Sequence, residues 1–161
     1  MCVSTLANVT IEEIAETAQA PLIFQLYMQG GREAALSLVR RAEDTGYRAL
    51  MVTVDASVNG VRNEEQRAGF RLPAHVRPVN IEGMPGPVSR AGPGESPVFK
   101  GLLDGAPRWD DIGWLRERTQ LPLILKGIVH PDDAEHALRL GVDGIVVSNH
   151  GGRTLDTLTA S

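Results

Sequence analysis

Gly144-Ile145-Val146-Val147-Ser148-Asn149-His150-Gly151-Gly152-Arg153 decides the fold of this 161-residue chain. The apolar run is β-branched, too short for a helix, and preceded by a helix-like segment ending at Gly141. Ile145 to Val147 is therefore expected to be a buried parallel strand. His150 then stands at that strand's C-terminal end. In parallel α/β folds the loops at that end converge on the chemistry, while the opposite ends serve stability.

Upstream, the same pattern recurs. Pro131 suits a first helical position, and Asp132 to Leu140 is expected to be a helix stopped by Gly141. Leu123 to Leu125 reads as a strand ending at Lys126-Gly127, preceded by a helix from Trp109 to about Thr119 capped by Asp110 or Asp111. Ala49 to Val54 is a strand leaving through Thr53 and Asp55. Before it, Ala35, Leu38, Val39 and Ala42 recur at helical spacing between Arg32 and Thr45, with Gly46 as the stop. Leu22-Ile23-Phe24 is a short strand opening onto Gln25-Leu26-Tyr27. Thr10-Ile11-Glu12-Glu13 has capping-box spacing for a helix from Ile11 to about Ala18, and a further strand ends near Ser4.

Two segments repeat weakly. Pro21-Leu22-Ile23-Phe24-Gln25 parallels Pro122-Leu123-Ile124-Leu125-Lys126, and Gly46 to Thr53 parallels Gly141 to Ser148. Repeated strand-helix units build a doubly wound sheet or a (β/α)8 barrel. Polar residues close each strand, namely Gln25, Thr53, Lys126 and Ser148, which suits a barrel whose strand ends face one pocket. The expected fold is a partial (β/α)8 TIM barrel of four to five of the eight units. From about 56 to 107 the pattern is lost: seven of the ten prolines fall between Pro73 and Pro107, which marks a long Pro/Gly-rich loop, either of lid or binding type or partly disordered.

Composition narrows the function classes. Apolar residues make up 42%, charged residues 22%, and the net charge of −4 offers no basic patch for nucleic acid. Anionic ligands must be held by individual arginines. No apolar run is long enough to span a membrane, Met1 is not followed by a signal-type segment, and a cytoplasmic protein is expected. The single Cys2 permits no internal disulfide, and His75, His130 and His136 lack metal-site spacing, so they are expected at the surface and no metal is expected.

Each candidate has a bland reading. His150 alone could be a capping histidine, but Gly151-Gly152 lets backbone approach a ligand closely. Arg153 stands in the same mouth, suited to a carboxylate. Lys126 either snorkels to the rim or faces a buried anion. Asp55 is either a turn residue or the orienter of a histidine base. Tyr27 could be packing and Arg62 a solvated loop residue. Gly30-Gly31 lacks the Gly-x-Gly-x-x-Gly pattern of a Rossmann site.

Together, Ser148-Asn149-His150-Gly151-Gly152-Arg153, Lys126-Gly127, Gln25-x-Tyr27, Thr53-x-Asp55 and Arg62 resemble the FMN-dependent 2-hydroxy acid oxidases and dehydrogenases. That family includes glycolate oxidase, lactate oxidase and dehydrogenase, mandelate dehydrogenase and the flavin domain of flavocytochrome b2. The resemblance implies that residues 1–161 are an incomplete domain of this kind, oxidising a small (S)-2-hydroxy acid to the 2-keto acid. It implies His150 as base, Asp55 as its partner, and Tyr27, Arg62 and Arg153 on the substrate carboxylate. It places Ser4, Gln25, Thr53 and Ser148 on FMN, with Lys126 beside the flavin's pyrimidine edge, where a cation favours the reduced anion. The electron acceptor is oxygen, a quinone or a cytochrome, and a homo-oligomer is allowed.

The departures are specific. A substrate-binding tyrosine of the family lies upstream of this chain's first residue, and the segments that hold the FMN phosphate lie beyond its last. Asn63 stands where many relatives carry Glu. The alternative expectation is a non-catalytic remnant, or a half-barrel completed by another polypeptide. A type 2 isopentenyl diphosphate isomerase, another FMN barrel, fits less well, because Arg62 and Arg153 around His150 suit a small carboxylate.

Overall fold

Parallel strands need crossover connections, and the alternation of short apolar runs with amphipathic segments supplies them. The computed structural model describes residues 1–57, 60, 62–85, 106–155, 157–159 and 161. Five strands, β1 (Cys2–Ser4), β2 (Ile23–Leu26), β3 (Ala49–Thr53), β4 (Leu123–Ile128) and β5 (Gly144–Val147), pair in parallel and in chain order. Helices α1 (Ile11–Thr17) and α2 (Gly31–Asp44) follow β1 and β2, α3 (Asn63–Arg67) and α4 (Trp109–Arg116) both lie between β3 and β4, and α5 (Pro131–Arg139) joins β4 to β5. This is the α/β architecture expected of consecutive (β/α)8 units.

Side chains alternate across each strand, so the sheet has two different faces. Phe24, Leu26, Leu50, Val52, Leu123 and Leu125 point to the helices and are fully buried with Ala35, Val39 and Ala42 of α2, Leu115 of α4 and Ala137 of α5. The opposite face carries Gln25, Met51, Thr53, Ile124 and Lys126. Stability comes from the first face, and the second ends in polar groups.

Turn chemistry follows the residues. The capping box at Thr10 forms as expected: its hydroxyl accepts from the Glu13 N–H at 3.2 Å, and the Glu13 carboxylate accepts from the Thr10 N–H at 3.2 Å. Gly46, at φ +81°, reverses the chain after α2 and leads to Tyr47. The Tyr47 ring lies edge-on to Phe24, its centroid 5.9 Å away, and its hydroxyl donates to the Ile11 carbonyl at 3.1 Å. Burial, with the nearby Glu12 charge, pushes the Tyr47 phenol up to about 12.

The structure corrects several expectations. The strand at 145–147 is not buried: Val147 is 62% exposed, because β5 pairs with β4 on one side and has no second neighbour among the described residues. β4 does not stop at Gly127 but continues to Ile128 through an irregularity in its pairing with β5. Neither Asp110 nor Asp111 is the N-cap of α4. Arg108 holds that position, and Asp111, three residues on, reaches back to accept from the Arg108 N–H at 2.8 Å. His130 is at the surface as expected, and its Nδ1 also accepts from the Asp132 N–H at 3.2 Å and caps α5.

The stretch 56–107 also differs from a plain loop. It contains α3 and a 3-10 turn at Val79–Ile81, while its residues 86–105 lie outside the described ones. That turn is anchored by Asn80, 2% exposed, whose side chain accepts from the Ile11 N–H at 3.0 Å and donates to the Val9 carbonyl at 3.1 Å. Arg41 donates to the Asn80 carbonyl at 2.9 Å while its other nitrogens grip Glu12 at 2.7 and 2.8 Å, which holds the Glu12 carboxyl below the usual range. The loop is thus tied to the start of α1 and to α2.

Asn80→Ala leaves the Ile11 N–H and Val9 carbonyl unpaired and is expected to cost about 1–3 kcal/mol, read by urea unfolding. For Tyr47, ionisation is harder in the folded state than in the unfolded one, so its contribution is complete below pH 10 and lost as the pH rises toward 12. Tyr47→Phe should flatten that alkaline loss in thermal melts across the same window.

Candidate active site

Because all strands run the same way, their C-terminal ends bring distant residues to one end of the sheet. Ser4 Oγ donates to Gln25 Oε1 at 2.9 Å, and Gln25 Nε2 donates to Thr53 Oγ1 at 2.9 Å. Three of the residues expected at FMN therefore form one hydrogen-bonded row across β1, β2 and β3. The buried Thr5, which sequence reasoning passed over, locks this row: its hydroxyl donates to the Gln25 carbonyl at 2.7 Å and accepts from the Tyr27 N–H at 3.1 Å. Its only signal was a hydroxyl directly after a strand end.

Beyond Thr53, Asp55 turns over the end of β4. Its Oδ1 lies 2.7 Å from His150 Nδ1, and its Oδ2 lies 3.4 Å from Lys126 Nζ. At 2.7 Å a carboxylate oxygen and a ring nitrogen must share a hydrogen, so Nδ1 carries it. The 3.5 Å approach of Lys126 Nζ to the same Nδ1 is then a contact rather than a hydrogen bond. In the neutral ring of that tautomer Nε2 carries the lone pair, and it has no hydrogen-bond partner among the described residues.

This arrangement depends on Gly127. Its φ is +114°, and a Cβ there would stand 2.6 Å from Asp55 Cβ and Cγ. Only glycine leaves room for Asp55 to cross β4. His150 itself has φ +58°, the one non-glycine residue with positive φ among those described, a conformation that costs about 1–2 kcal/mol. Its neighbours hold it there. Ser148 Oγ accepts from the His150 N–H at 3.0 Å, and Asn149 Oδ1 accepts from Gly151 and Gly152 at 3.0 and 3.3 Å. Asn149 is a second residue without an assigned role in the sequence; an Asn two residues before a Gly pair was its signal.

His150 opens onto a cleft of about 610 Å³ lined also by Tyr27, Arg62 and Arg153. All three residues expected on a substrate carboxylate thus meet the expected base in one place. Arg62 comes from the N-cap of α3 and pairs with Glu65 at 3.2 Å, and Arg153 follows the 3-10 turn His150–Gly152. Gly60 packs directly on the Arg153 carbonyl, joining the two loops. Burial, reinforced by the Asp55 charge, raises the Tyr27 phenol above its ordinary value, so it stays a donor through neutral pH. The remaining expected residues, Ser4, Gln25, Thr53, Asp55, Lys126 and Ser148, lie in or just after the C-terminal halves of the strands and outside the cleft's lining, Asp55 reaching it through His150. Chemically, the arrangement offers a base, cations for one carboxylate and a separate polar row.

Gly127→Ala is expected to push Asp55 off His150 and so abolish the strongly downfield imidazole Nδ1 proton resonance of that pair. A resonance retained in the variant would contradict the crossing at Gly127.

The FMN-dependent dehydrogenase family model matches residues 1–161. An L-lactate oxidase of Alicycliphilus denitrificans is 45% identical over 98% of this chain and 44% of its own length. The 2-hydroxyacid oxidase 1 of Mus musculus is 41% identical over 100% of this chain and 45% of its own. A mandelate oxidase structure with benzoyl-formic acid superposes with a TM-score of 0.80 at 37% identity, covering 98% of this chain and 41% of that one. The chain thus spans less than half the length of these relatives. With five parallel strands and their helices superposing on a mandelate oxidase and a family match along its full length, the chain belongs to the FMN-dependent dehydrogenase family.

Proposed function

We propose that the chain forms the flavin-ring and carboxylate side of an FMN-dependent oxidase of small (S)-2-hydroxy acids, as part of a larger domain. One observation carries this reading: His150, held by Asp55 at 2.7 Å, opens onto the same cleft as Tyr27, Arg62 and Arg153. FMN fits the residues present. Ser4, Gln25, Thr53 and Ser148 mix donors and acceptors, as a heterocycle with ring N–H and carbonyl edges requires, and Lys126 adds a cation at the same strand ends. When bound, FMN supplies the two-electron acceptor.

The chain's own residues do the rest. Arg62 and Arg153 hold the substrate carboxylate, and the protonated Tyr27 hydroxyl donates to it. His150 Nε2 takes the proton of the 2-hydroxyl group. Asp55 stabilises the imidazolium that results, as an ionised partner 2.7 Å from Nδ1 can. The substrate loses two electrons and two protons in all and leaves as the 2-keto acid. The names of the relatives make L-lactate the first substrate to try and oxygen the first acceptor. A cytoplasmic setting is part of the proposal, consistent with a lone, free Cys2.

A second reading, a half-barrel completed by another polypeptide or by a second copy, is favoured by the exposed Val147 on β5, which among the described residues is paired on one side only. Sedimentation separates the two: a monomer that binds FMN supports the first, and FMN binding only in a larger assembly supports the second.

For the base, His150→Ala is expected to slow flavin reduction by L-lactate about 10²- to 10⁴-fold while FMN stays bound. An unchanged rate in stopped-flow absorbance would remove His150 from that role. Arg153→Lys, which cannot form the planar fork, should raise the L-lactate concentration for half-maximal reduction by about 10- to 100-fold with FMN affinity unaltered. Loss of FMN with L-lactate affinity intact would place Arg153 on the cofactor instead.

A further inference from the structure

Arg62 is the arginine expected to meet a substrate carboxylate, yet its guanidinium already faces one from its own chain. Both oxygens of Glu65 approach the same nitrogen, Arg62 Nη1, at 3.4 and 3.2 Å. Local structure sets this up. Arg62 is the N-cap of α3 and Glu65 stands three residues on, so the two side chains are neighbours on one side of the turn. Both line the cleft that contains His150 and Arg153.

A carboxylate so placed has two possible effects of opposite sign. It could compete with the substrate for Arg62, or it could hold Arg62 in place for the substrate. The geometry discriminates between them. A competitor resembling the substrate would span the guanidinium fork, one oxygen on each of two nitrogens. Glu65 instead sits on Nη1 alone, and among the described residues the Nε–Nη2 edge remains a complete two-donor fork.

The second effect also has a physical need behind it. The Arg62 side chain is 56% exposed, and a long side chain in water spreads over many rotamers. Binding a substrate to a free arginine has to order it first. An arginine already tethered at one nitrogen has lost part of that freedom before the ligand arrives, and its planar group turns with the tether.

Building on the hydroxy acid reading of the cleft, we propose that Glu65 is a positioning residue that holds Arg62 by Nη1 and leaves its Nε–Nη2 edge for the substrate carboxylate. Glu65 and its neighbour Glu64 line the same cleft, and residue type does not separate them. The distinction lies in the three-residue offset from Arg62.

The test uses the whole chain loaded with FMN, with L-lactate as the probe and two readouts: the L-lactate dissociation constant and the Arg62 Nε–H resonance in ¹H–¹⁵N spectra. Glu65→Ala is expected to weaken L-lactate binding about two- to fivefold, the range of an exposed ion pair, and to broaden the Nε–H resonance. Glu65→Gln keeps an oxygen for Nη1 and should stay within about twofold of wild type. Tighter binding in either variant would make Glu65 a competitor and overturn the proposal. Binding that ignores both substitutions, with the Arg62 resonance unmoved, overturns it as well while leaving the hydroxy acid site intact. A wild-type chain that binds no L-lactate overturns the hydroxy acid reading and this inference with it.

Discussion

The Asp55–His150 hydrogen bond is the constraint on which the site depends. Asp55 follows β3 and His150 follows β5, and β4 lies between those strands. Two strand spacings are roughly 9.5 Å, too far for backbone contact, so the two side chains must meet over the end of the intervening strand. The sheet allows this only because β4 has no side chain at Gly127 and because its pairing with β5 is irregular there. Lys126, the last residue before that gap, brings its ammonium within 3.4 Å of the same carboxylate. A carboxylate, an imidazole and an ammonium are thereby gathered by backbone geometry alone.

The rest of the molecule divides its work between two faces. The helix-facing residues of β2, β3 and β4 are apolar and fully buried, and they give the strands a fixed register. The strand ends then hold polar groups at set positions without needing to contribute to the core. The Ser4–Gln25–Thr53 row shows the benefit, since each side chain is aimed by the next across three strands. Asn80 does the corresponding job for the loop that brings Arg62 to the cleft, tying its far end to the start of α1.

Much of this was legible in the sequence because it rests on local patterns. The strands, the helices of the repeated units, the polar residue closing each strand and the His-Gly-Gly-Arg segment all follow from periodicity and from Gly and Pro. What was not legible depends on partners far apart in the chain. Asn80 sits in a proline-rich stretch and bonds to Ile11, 69 residues away, so no spacing announces it. Thr5 is one hydroxyl residue among several until β2 is laid beside it. The exposure of Val147 could not be read from its β-branched neighbours, because burial of a strand depends on whether another strand lies beside it. Arg62 and Glu65 were one loop arginine and one acidic residue until α3 put them on the same turn.

The central claim is that the groups gathered at these strand ends suffice to present a hydroxy acid to a bound flavin. Anaerobic absorption spectroscopy of the chain tests it most directly: FMN is added, unbound FMN is removed, and L-lactate follows. The expected result is a retained visible flavin band that bleaches with L-lactate and not with D-lactate. A retained band that neither isomer bleaches would contradict it.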